Sequence, residues 1–264
     1  MARRVAVGNN KGGAKKSTTV VRVAEALAKL KKKVGVVDLD PQGNASRRFG
    51  WKDDPTAPQL TTSEAIEANA EGVASQVWQP IGWTAEYADR IVLMPARYTL
   101  EDRATEAGQR GAYRRLAKAL KGADDHLDYV LIDCPPSLGH LTQMGLAAAH
   151  HALASTEPEY DSLEAAVRYR DFVAASGEDL ANPDLSFLGV IVSAYDMRIG
   201  AHVGQLDGAR QIFGDSLWGV VPRRSLITNA DEYAQPLSDV SDSNEVRAVY
   251  ELLAQRFVKE VTPA

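Results

Sequence analysis

The chain has 264 residues, a hydrophobic fraction of 45% and a formal net charge of −5. This length is enough for one sizeable α/β domain, and the negative charge disfavours DNA binding through overall basicity, although a local basic patch would still serve. The single cysteine, Cys134, excludes an internal disulfide and an iron–sulfur cluster built within one subunit. No stretch approaches the roughly eighteen apolar residues of a membrane span, so we expect a soluble protein of a reducing, cytoplasmic compartment.

The first predicted elements are a strand, a glycine-containing turn and a helix. Val5–Gly8 is a short run with β-branched valines, which favours a strand, and from Lys16 to Ala28 apolar residues recur at helical spacing. A turn in this position directs consecutive backbone N–H groups to the positive end of a helix, where an anion binds. We expect Lys16 to reach the β- and γ-phosphates of a nucleoside triphosphate and the Ser17 hydroxyl to ligate its magnesium.

The turn departs from the standard phosphate-loop pattern, because Asn10 and Lys15 occupy its two glycine positions. It resembles instead the deviant Walker A motif, K-G-G-x-x-K-[ST]-T, of the ParA family of partition ATPases, in the small form without an N-terminal helix-turn-helix domain. This resemblance implies a catalytic Lys11 that reaches across a homodimer to the partner subunit's phosphates. It also implies that ATP with Mg²⁺ contacts Lys11, Gly12, Gly13, Ala14, Lys15, Lys16, Ser17 and Thr18.

Lys15 stands where this family almost always has glycine. Glycine tolerates unusual backbone dihedral angles and leaves room for phosphates, so Lys15 either finds a compatible conformation or alters the loop. Two hypotheses stay open at this point. Either Lys15 changes nucleotide affinity or turnover, or its side chain points to solvent without effect.

The next predicted strand ends in carboxylates. Val34–Val37 is followed by the segment Asp38-Leu39-Asp40-Pro41-Gln42-Gly43-Asn44, and carboxylates at the carboxyl end of a parallel strand lie where α/β sheets bind ligands. The segment resembles the second ParA motif, which implies that Asp38 lies near the magnesium and that Asp40 orients the water attacking the γ-phosphate. The alternative is that these acids only cap a turn or the next helix.

Between Trp51 and Lys121 the sequence carries structural signals only. Thr61–Glu64 predicts a capped helix start, Val77–Ile81 a strand with a following turn, and Arg90–Ala96 a clearer strand. A long polar helical region is predicted from there to Lys121. Because its arginines and lysines alternate with acids, we interpret it as an exposed amphipathic helix.

A third motif begins with Tyr129–Asp133, which predicts a buried strand whose final carboxylate holds magnesium through water. Pro135 and Pro136 end this strand and shape a loop. The segment resembles the third ParA motif. Cys134 lies within it, and we predict a small buried side chain rather than a nucleophile because no activating base is evident.

The C-terminal half supplies the candidate adenine and DNA contacts. Strands are predicted at His151–Ser155, Leu185–Val192 and Ser216–Val221, and a final amphipathic helix at Ser243–Val258. The resemblance places the loop at Pro222 near the adenine. It also implies DNA-backbone contacts by Arg198, Arg223 and Arg224, for which the alternative is ordinary surface arginines.

Alternating strands and helices predict a mostly parallel sheet with helices on both faces, and the resemblance makes residues 1–264 a single P-loop NTPase domain. It implies an ATP-bound sandwich dimer that binds non-specific DNA and is released by hydrolysis, which a ParB-like centromere-binding protein stimulates. Such a protein is cytoplasmic and associates with the nucleoid when it holds ATP. One alternative is a DNA-binding switch or scaffold with little hydrolysis because of Lys15. A membrane-bound positioning ATPase is disfavoured, since the final helix lacks a strongly basic face.

Overall fold

The computed structural model describes residues 1–54 and 56–262, within which the strands form one eight-stranded sheet. The order across the sheet is β3-β4-β2-β5-β1-β6-β7-β8; β3 is antiparallel to β4, and the other neighbouring pairs are parallel. This confirms the predicted fold class. The strands are β1 (Arg3–Gly8), β2 (Val34–Asp38), β3 (Gln79–Pro80), β4 (Ile91–Met94), β5 (Tyr129–Asp133), β6 (His151–Thr156), β7 (Ser186–Tyr195) and β8 (Leu217–Pro222).

Helices cover both faces of the sheet. The two helices α1 and α10 pack together on one face, and α5, α6, α7 and α8 cover the other. The α-helices are α1 (Lys16–Lys29), α2 (Asn44–Arg48), α3 (Thr62–Glu67), α4 (Leu100–Ala104), α5 (Arg115–Leu120), α6 (His140–Ala148), α7 (Tyr160–Ser176), α8 (Gly200–Phe213), α9 (Ser225–Glu232) and α10 (Asn244–Glu260). A membrane-spanning helix, which needs a long apolar run, does not occur among residues 1–54 or 56–262.

The first strand and helix follow from their side chains. In β1 the β-branched Val5 and Val7 are buried on one face, and in α1 residues such as Val20 and Leu27 are fully buried against the same apolar cluster. The helix ends after Lys29 because Lys31 has a left-handed backbone, φ 62°, and the amide of Lys32 bonds to the Leu27 carbonyl. The predicted strand–turn–helix unit is therefore present.

Two predicted elements differ in the structure. The long polar helix before Lys121 is divided into α4, two short 3₁₀ helices and α5. Gly108 ends the first 3₁₀ helix, and Gly111, directly before the second, has a left-handed φ of 76° that interrupts a helix. The strand predicted at Val77–Ile81 is reduced to the two-residue β3. Pro80 lacks the N–H that a longer ladder needs, which suits this edge position.

The topology brings three strand ends together. β5 lies between β1 and β2 in the middle of the sheet, so the carboxyl ends of these three parallel strands lie side by side. Asp38 and Asp133 are direct neighbours in the β2–β5 register. The loop after β1 therefore begins beside two carboxylates that are distant in sequence.

A buried ion pair lies at the other end of the central strands, where β1 begins. Arg4 at the start of β1 donates from Nε and Nη2 to the two carboxylate oxygens of Asp124, at 2.7 and 3.0 Å, and it also donates to the Leu120 carbonyl. The Asp124 side chain is fully buried. This paired geometry ties β1 to the segment that leads into β5.

We expect Asp124→Ala to lower the free energy of unfolding by about 3 kcal/mol, because it leaves the Arg4 guanidinium buried without its carboxylate. Urea unfolding followed by circular dichroism measures this change. The control is Asp125→Ala, since Asp125 is the exposed neighbour, and its expected effect is within about 0.5 kcal/mol. Equal effects of the two substitutions would contradict this role of the ion pair.

Candidate functional site

The turn between β1 and α1 has the backbone of an anion-binding loop. Gly13 has φ 81°, and Lys15, directly before the helix, has φ 58° and ψ 26°. The amide of Thr19 already bonds to the Lys15 carbonyl, so the helix begins at once and its first N–H groups face the turn. Lys15 thus adopts the left-handed conformation that glycine adopts freely, which answers the question of compatibility raised by its sequence position.

Buried polar contacts fix the loop to the end of β6. The Asn9 side-chain amide donates to the Ser155 carbonyl at 2.8 Å, and the Ser155 hydroxyl donates to the Ala14 carbonyl at 2.7 Å. Thr19 on α1 also lies 2.9 Å from that hydroxyl. Because these groups are buried and bonded to each other, the loop has few alternative positions.

Two loop lysines pair with acids that follow β6. Lys11 Nζ lies 3.0 Å from Glu159, and Lys15 Nζ lies 3.9 Å from Glu157. These side chains are partly exposed, so each pair contributes little to stability. Within this single subunit, Lys11 is therefore directed to its own chain's acids.

Three buried carboxylates gather beside the loop, as the sequence predicted for Asp38, Asp40 and Asp133. Asp38 accepts hydrogen bonds from the amide and hydroxyl of Ser46, at 2.8 and 2.6 Å. Burial raises the pKa of Asp133, and the neighbouring charge of Asp38 raises it further. Burial likewise raises the pKa of Asp38, although the Ser46 bonds oppose the change.

Asp133 is the carboxylate best suited to an added cation. The Ser17 hydroxyl lies near enough to lower its pKa, yet neither carboxylate oxygen has a hydrogen bond of standard geometry within the described residues. A hydroxyl and carboxylates are the hard oxygen ligands that Mg²⁺ prefers, with phosphate and water completing its shell. The described residues contain no cluster of three His, Cys, Asp or Glu arranged as a complete metal cage. The residues present therefore fit Mg²⁺ that arrives with a phosphate ligand.

Lys16 is the buried cation of this group. Burial lowers the pKa of its ammonium, while Asp133 and Asp40 oppose that shift. Its Nζ donates to the Lys11 carbonyl at 3.3 Å. A cation held over the loop in this way is placed to contact phosphate oxygens.

A cavity of about 310 Å³ lies beside the start of α1, where Lys15 and Thr18 line it. Pro222, the predicted adenine neighbour, lines it at the end of β8. Asp231 of α9 and Arg48 of α2 line it as well, and they bond to each other at 2.9 Å. No local sequence motif points to these two residues, because their contact joins positions 183 apart in the chain.

The three DNA-contact candidates lie at the surface near this cavity but differ in their charge environment. Arg198 is exposed and pairs with Asp196, and Arg224 pairs through two nitrogens with Glu245. Arg223 lines the cavity. Among the described residues it forms no ion pair within 4 Å, although its charge opposes the rise that burial causes in the pKa of Glu157 and adds to the fall that the Arg198 hydrogen bonds cause in the pKa of Asp196. The acidic partners of Arg198 and Arg224 reduce the local positive potential.

Cys134 is fully buried, as predicted. Burial raises the pKa of its thiol well above its usual range, with the Asp133 carboxylate adding to the effect. A thiol of this kind is not a nucleophile.

Comparisons with known proteins agree with this geometry. Residues 2–187 match a family model described as an AAA domain. The chromosome-partitioning ATPase Soj of Thermus thermophilus is 32% identical over 265 residues, covering 99% of this chain and 98% of Soj. The chromosome partitioning protein ParA of Myxococcus xanthus is 29% identical and covers 100% and 90% of the two chains.

Solved structures show the same fold. Apo McdA of Cyanothece has a TM-score of 0.83 at 21% identity, with 97% of this chain and 99% of McdA covered. A Mycobacterium smegmatis structure described as cobyrinic acid a,c-diamide synthase, with bound ADP and magnesium, has a TM-score of 0.78 at 27% identity and covers 100% and 99%. With the matched domain model and near-full-length similarity to Soj, the chain belongs to the ParA/Soj family of partition ATPases.

Proposed function

We propose that this protein binds and hydrolyses ATP with Mg²⁺ to drive DNA segregation. In the proposed cycle an ATP-bound homodimer binds non-specific DNA, and hydrolysis, stimulated by a ParB-like centromere-binding protein, releases it. The ATP-bound form would be associated with the nucleoid in the cytoplasm. The observation that carries the proposal is the convergence of the phosphate loop, buried Lys16 and three buried carboxylates at the ends of β1, β2 and β5.

The proposed chemistry assigns one role to each group. The loop amides and Lys16 bind the phosphates, and Ser17 with Asp133 and Asp38 holds the magnesium, which neutralises phosphate charge. Asp40 orients the attacking water. Its carboxylate accepts a hydrogen bond from the Gln42 amide at 3.0 Å, which fixes its direction.

Lys11 is proposed to act on the partner subunit's nucleotide. In the described chain its ammonium bonds to Glu159, which is about half exposed. An exposed ion pair is weak enough to exchange for a phosphate. Dimer formation would therefore transfer Lys11 from a carboxylate of its own chain to a more highly charged ligand.

A second candidate function is a nucleotide-dependent DNA-binding scaffold with little hydrolysis. The observation that favours it is the strained position of Lys15, whose left-handed backbone costs about 1–2 kcal/mol and whose ammonium faces Glu157 beside the loop. If this lysine displaces the phosphates from the geometry of reaction, ATP binds but phosphate is not released. Turnover measurements separate the two functions.

Asp40→Ala should reduce steady-state phosphate release by about a hundredfold or more, because the water site then lacks its orienting carboxylate. The assay uses purified protein, ATP and Mg²⁺, with non-specific DNA, and ATP binding is measured in parallel to confirm an intact site. Asp54→Ala is the control, since Asp54 is exposed and lies outside the site. A wild-type rate in Asp40→Ala would refute the role of this carboxylate.

Lys15→Gly should change the turnover number by less than about threefold, because the wild-type backbone already has the left-handed geometry that glycine provides. Lys15→Ala is the matched variant: it keeps the β-carbon at this left-handed backbone position and removes the rest of the side chain with its ammonium. Phosphate release by all three proteins is compared at saturating ATP. If Lys15→Gly releases phosphate and the wild type does not, the result would favour the scaffold function and contradict the proposal that this protein is an ATPase.

Arg223→Ala should weaken binding to non-specific duplex DNA in the presence of ATP. It should also reduce the salt dependence, with the log–log slope changing by about 0.9 for each phosphate that the arginine neutralises in the wild type. Glu245→Gln should strengthen binding, since it releases Arg224 from its ion pair. Fluorescence anisotropy at several salt concentrations measures both effects. Arg168→Ala removes an exposed arginine of α7 as control; if Arg223→Ala behaves like it, Arg223 is an ordinary surface residue.

A further inference from the structure

Asp231 links helix α9 to the beginning of α1. Its side chain is largely buried, and Oδ1 accepts a hydrogen bond from Arg22 Nη2 at 2.8 Å. Oδ2 accepts from the Thr18 hydroxyl at 2.5 Å and from Arg48 Nε at 2.9 Å. Three donors from two other helices therefore converge on one carboxylate.

Thr18 lies in the first turn of α1, two positions after Lys16. It is 7% exposed and lines the cavity beside Lys15. The first turn of a helix that follows a phosphate loop is where phosphate oxygens find donors. A hydroxyl has one proton to donate, so the Asp231 carboxylate and a phosphate oxygen cannot both receive it.

The surrounding charges do not remove this competition. Arg22 is fully buried and divides its guanidinium between Asp231, Glu25 and the Gln235 carbonyl, at 2.8, 3.0 and 2.9 Å. Arg22 is therefore committed to groups of its own chain. Arg48 pairs with Asp231 as well, so the carboxylate opposes a phosphate through the Thr18 hydroxyl and not through an uncompensated charge.

We propose that Asp231 is a positioning residue that competes with nucleotide phosphate for the Thr18 hydroxyl and thereby weakens nucleotide binding. The proposal rests on the proposed function, since it requires phosphate to occupy the first turn of α1. Asp231 acts through Thr18 and has no part in the chemical step. Through this competition, the binding of nucleotide phosphate to the loop depends on the position of α9, which carries Asp231.

The test is the affinity of wild type and Asp231→Asn for ADP and for ATP with Mg²⁺, measured by isothermal titration calorimetry. We expect Asp231→Asn to bind about fivefold to tenfold more tightly, the size of one ordinary hydrogen bond, because the neutral amide competes less strongly than the carboxylate for the Thr18 hydroxyl. The Michaelis constant for ATP should fall while the turnover number stays within about twofold. A purely structural role predicts the opposite sign, because a loosened site binds less tightly.

A double-mutant cycle examines the route through Thr18. In a Thr18→Val background there is no hydroxyl to contest, so the further change Asp231→Asn should alter affinity by less than about twofold. Asp215→Asn is the matched control, because Asp215 is exposed and its substitution removes the same charge outside the cavity. An undiminished gain in the Thr18→Val background overturns the proposal.

Asp231→Asn should fold, since Arg22 keeps Glu25 and the Gln235 carbonyl and the Arg48 side chain is partly exposed to water. Asp231→Ser also removes the carboxylate, and it is used in the same measurements if Asp231→Asn does not fold. Unchanged or weaker nucleotide binding by a folded variant overturns the proposal and leaves the proposed function intact. Failure of the wild type to bind either nucleotide overturns both.

Discussion

The buried negative charge at the ends of β2 and β5 is the constraint on which the site depends. Asp38 and Asp133 are fully buried neighbours in the sheet, Asp40 lies close by, and Lys16 is the buried cation that faces them. Burying like charges together costs free energy unless a cation or a proton compensates. The arrangement is therefore explained by a cation that binds beside the carboxylates, which is what the Mg²⁺ carried with a nucleotide supplies.

The phosphate loop is also held in place on the side that faces β6, away from the carboxylates. The amide of Asn9 and the hydroxyl of Ser155 bond the loop to β6, opposite the carboxylates. A loop held by buried hydrogen bonds retains a strained residue, because the surrounding contacts determine its backbone. Lys15 is such a residue, and its left-handed conformation preserves the loop path expected for glycine. The departure from the family pattern thus adds a charge at a position whose left-handed backbone glycine would also adopt.

The fold and the contiguous parts of the site were predictable from sequence. Strand patterns, the loop after β1 and the carboxylates that follow β2 and β5 are local signals, and parallel topology alone brings their ends together. The fragmentation of the helix before Lys121 was not predicted, because its polar periodicity outweighed the two glycines that interrupt it. The partners of Lys11 and Asp231 were not predictable either. These contacts join residues 148 and 213 positions apart, and no periodicity encodes such pairings.

The unpredicted contacts alter how the two proposed binding surfaces relate to each other. One continuous segment runs from Pro222 at the cavity, through Arg223 and Arg224, into α9 and its Asp231. Of the eight residues of α9, only Ala230 and Asp231 are buried, while Leu226 and Ile227 are partly buried against the same apolar cluster as Ala230. The bonds of Asp231 add to this packing in holding the helix in place. The Thr18–Asp231 bond therefore connects the first turn of α1 to a helix that begins directly after the candidate DNA contacts. Because a ligand shifts a conformation only through contacts that differ between two states, loss of this bond on phosphate binding would be one route from the phosphate loop to the candidate DNA-contact arginines.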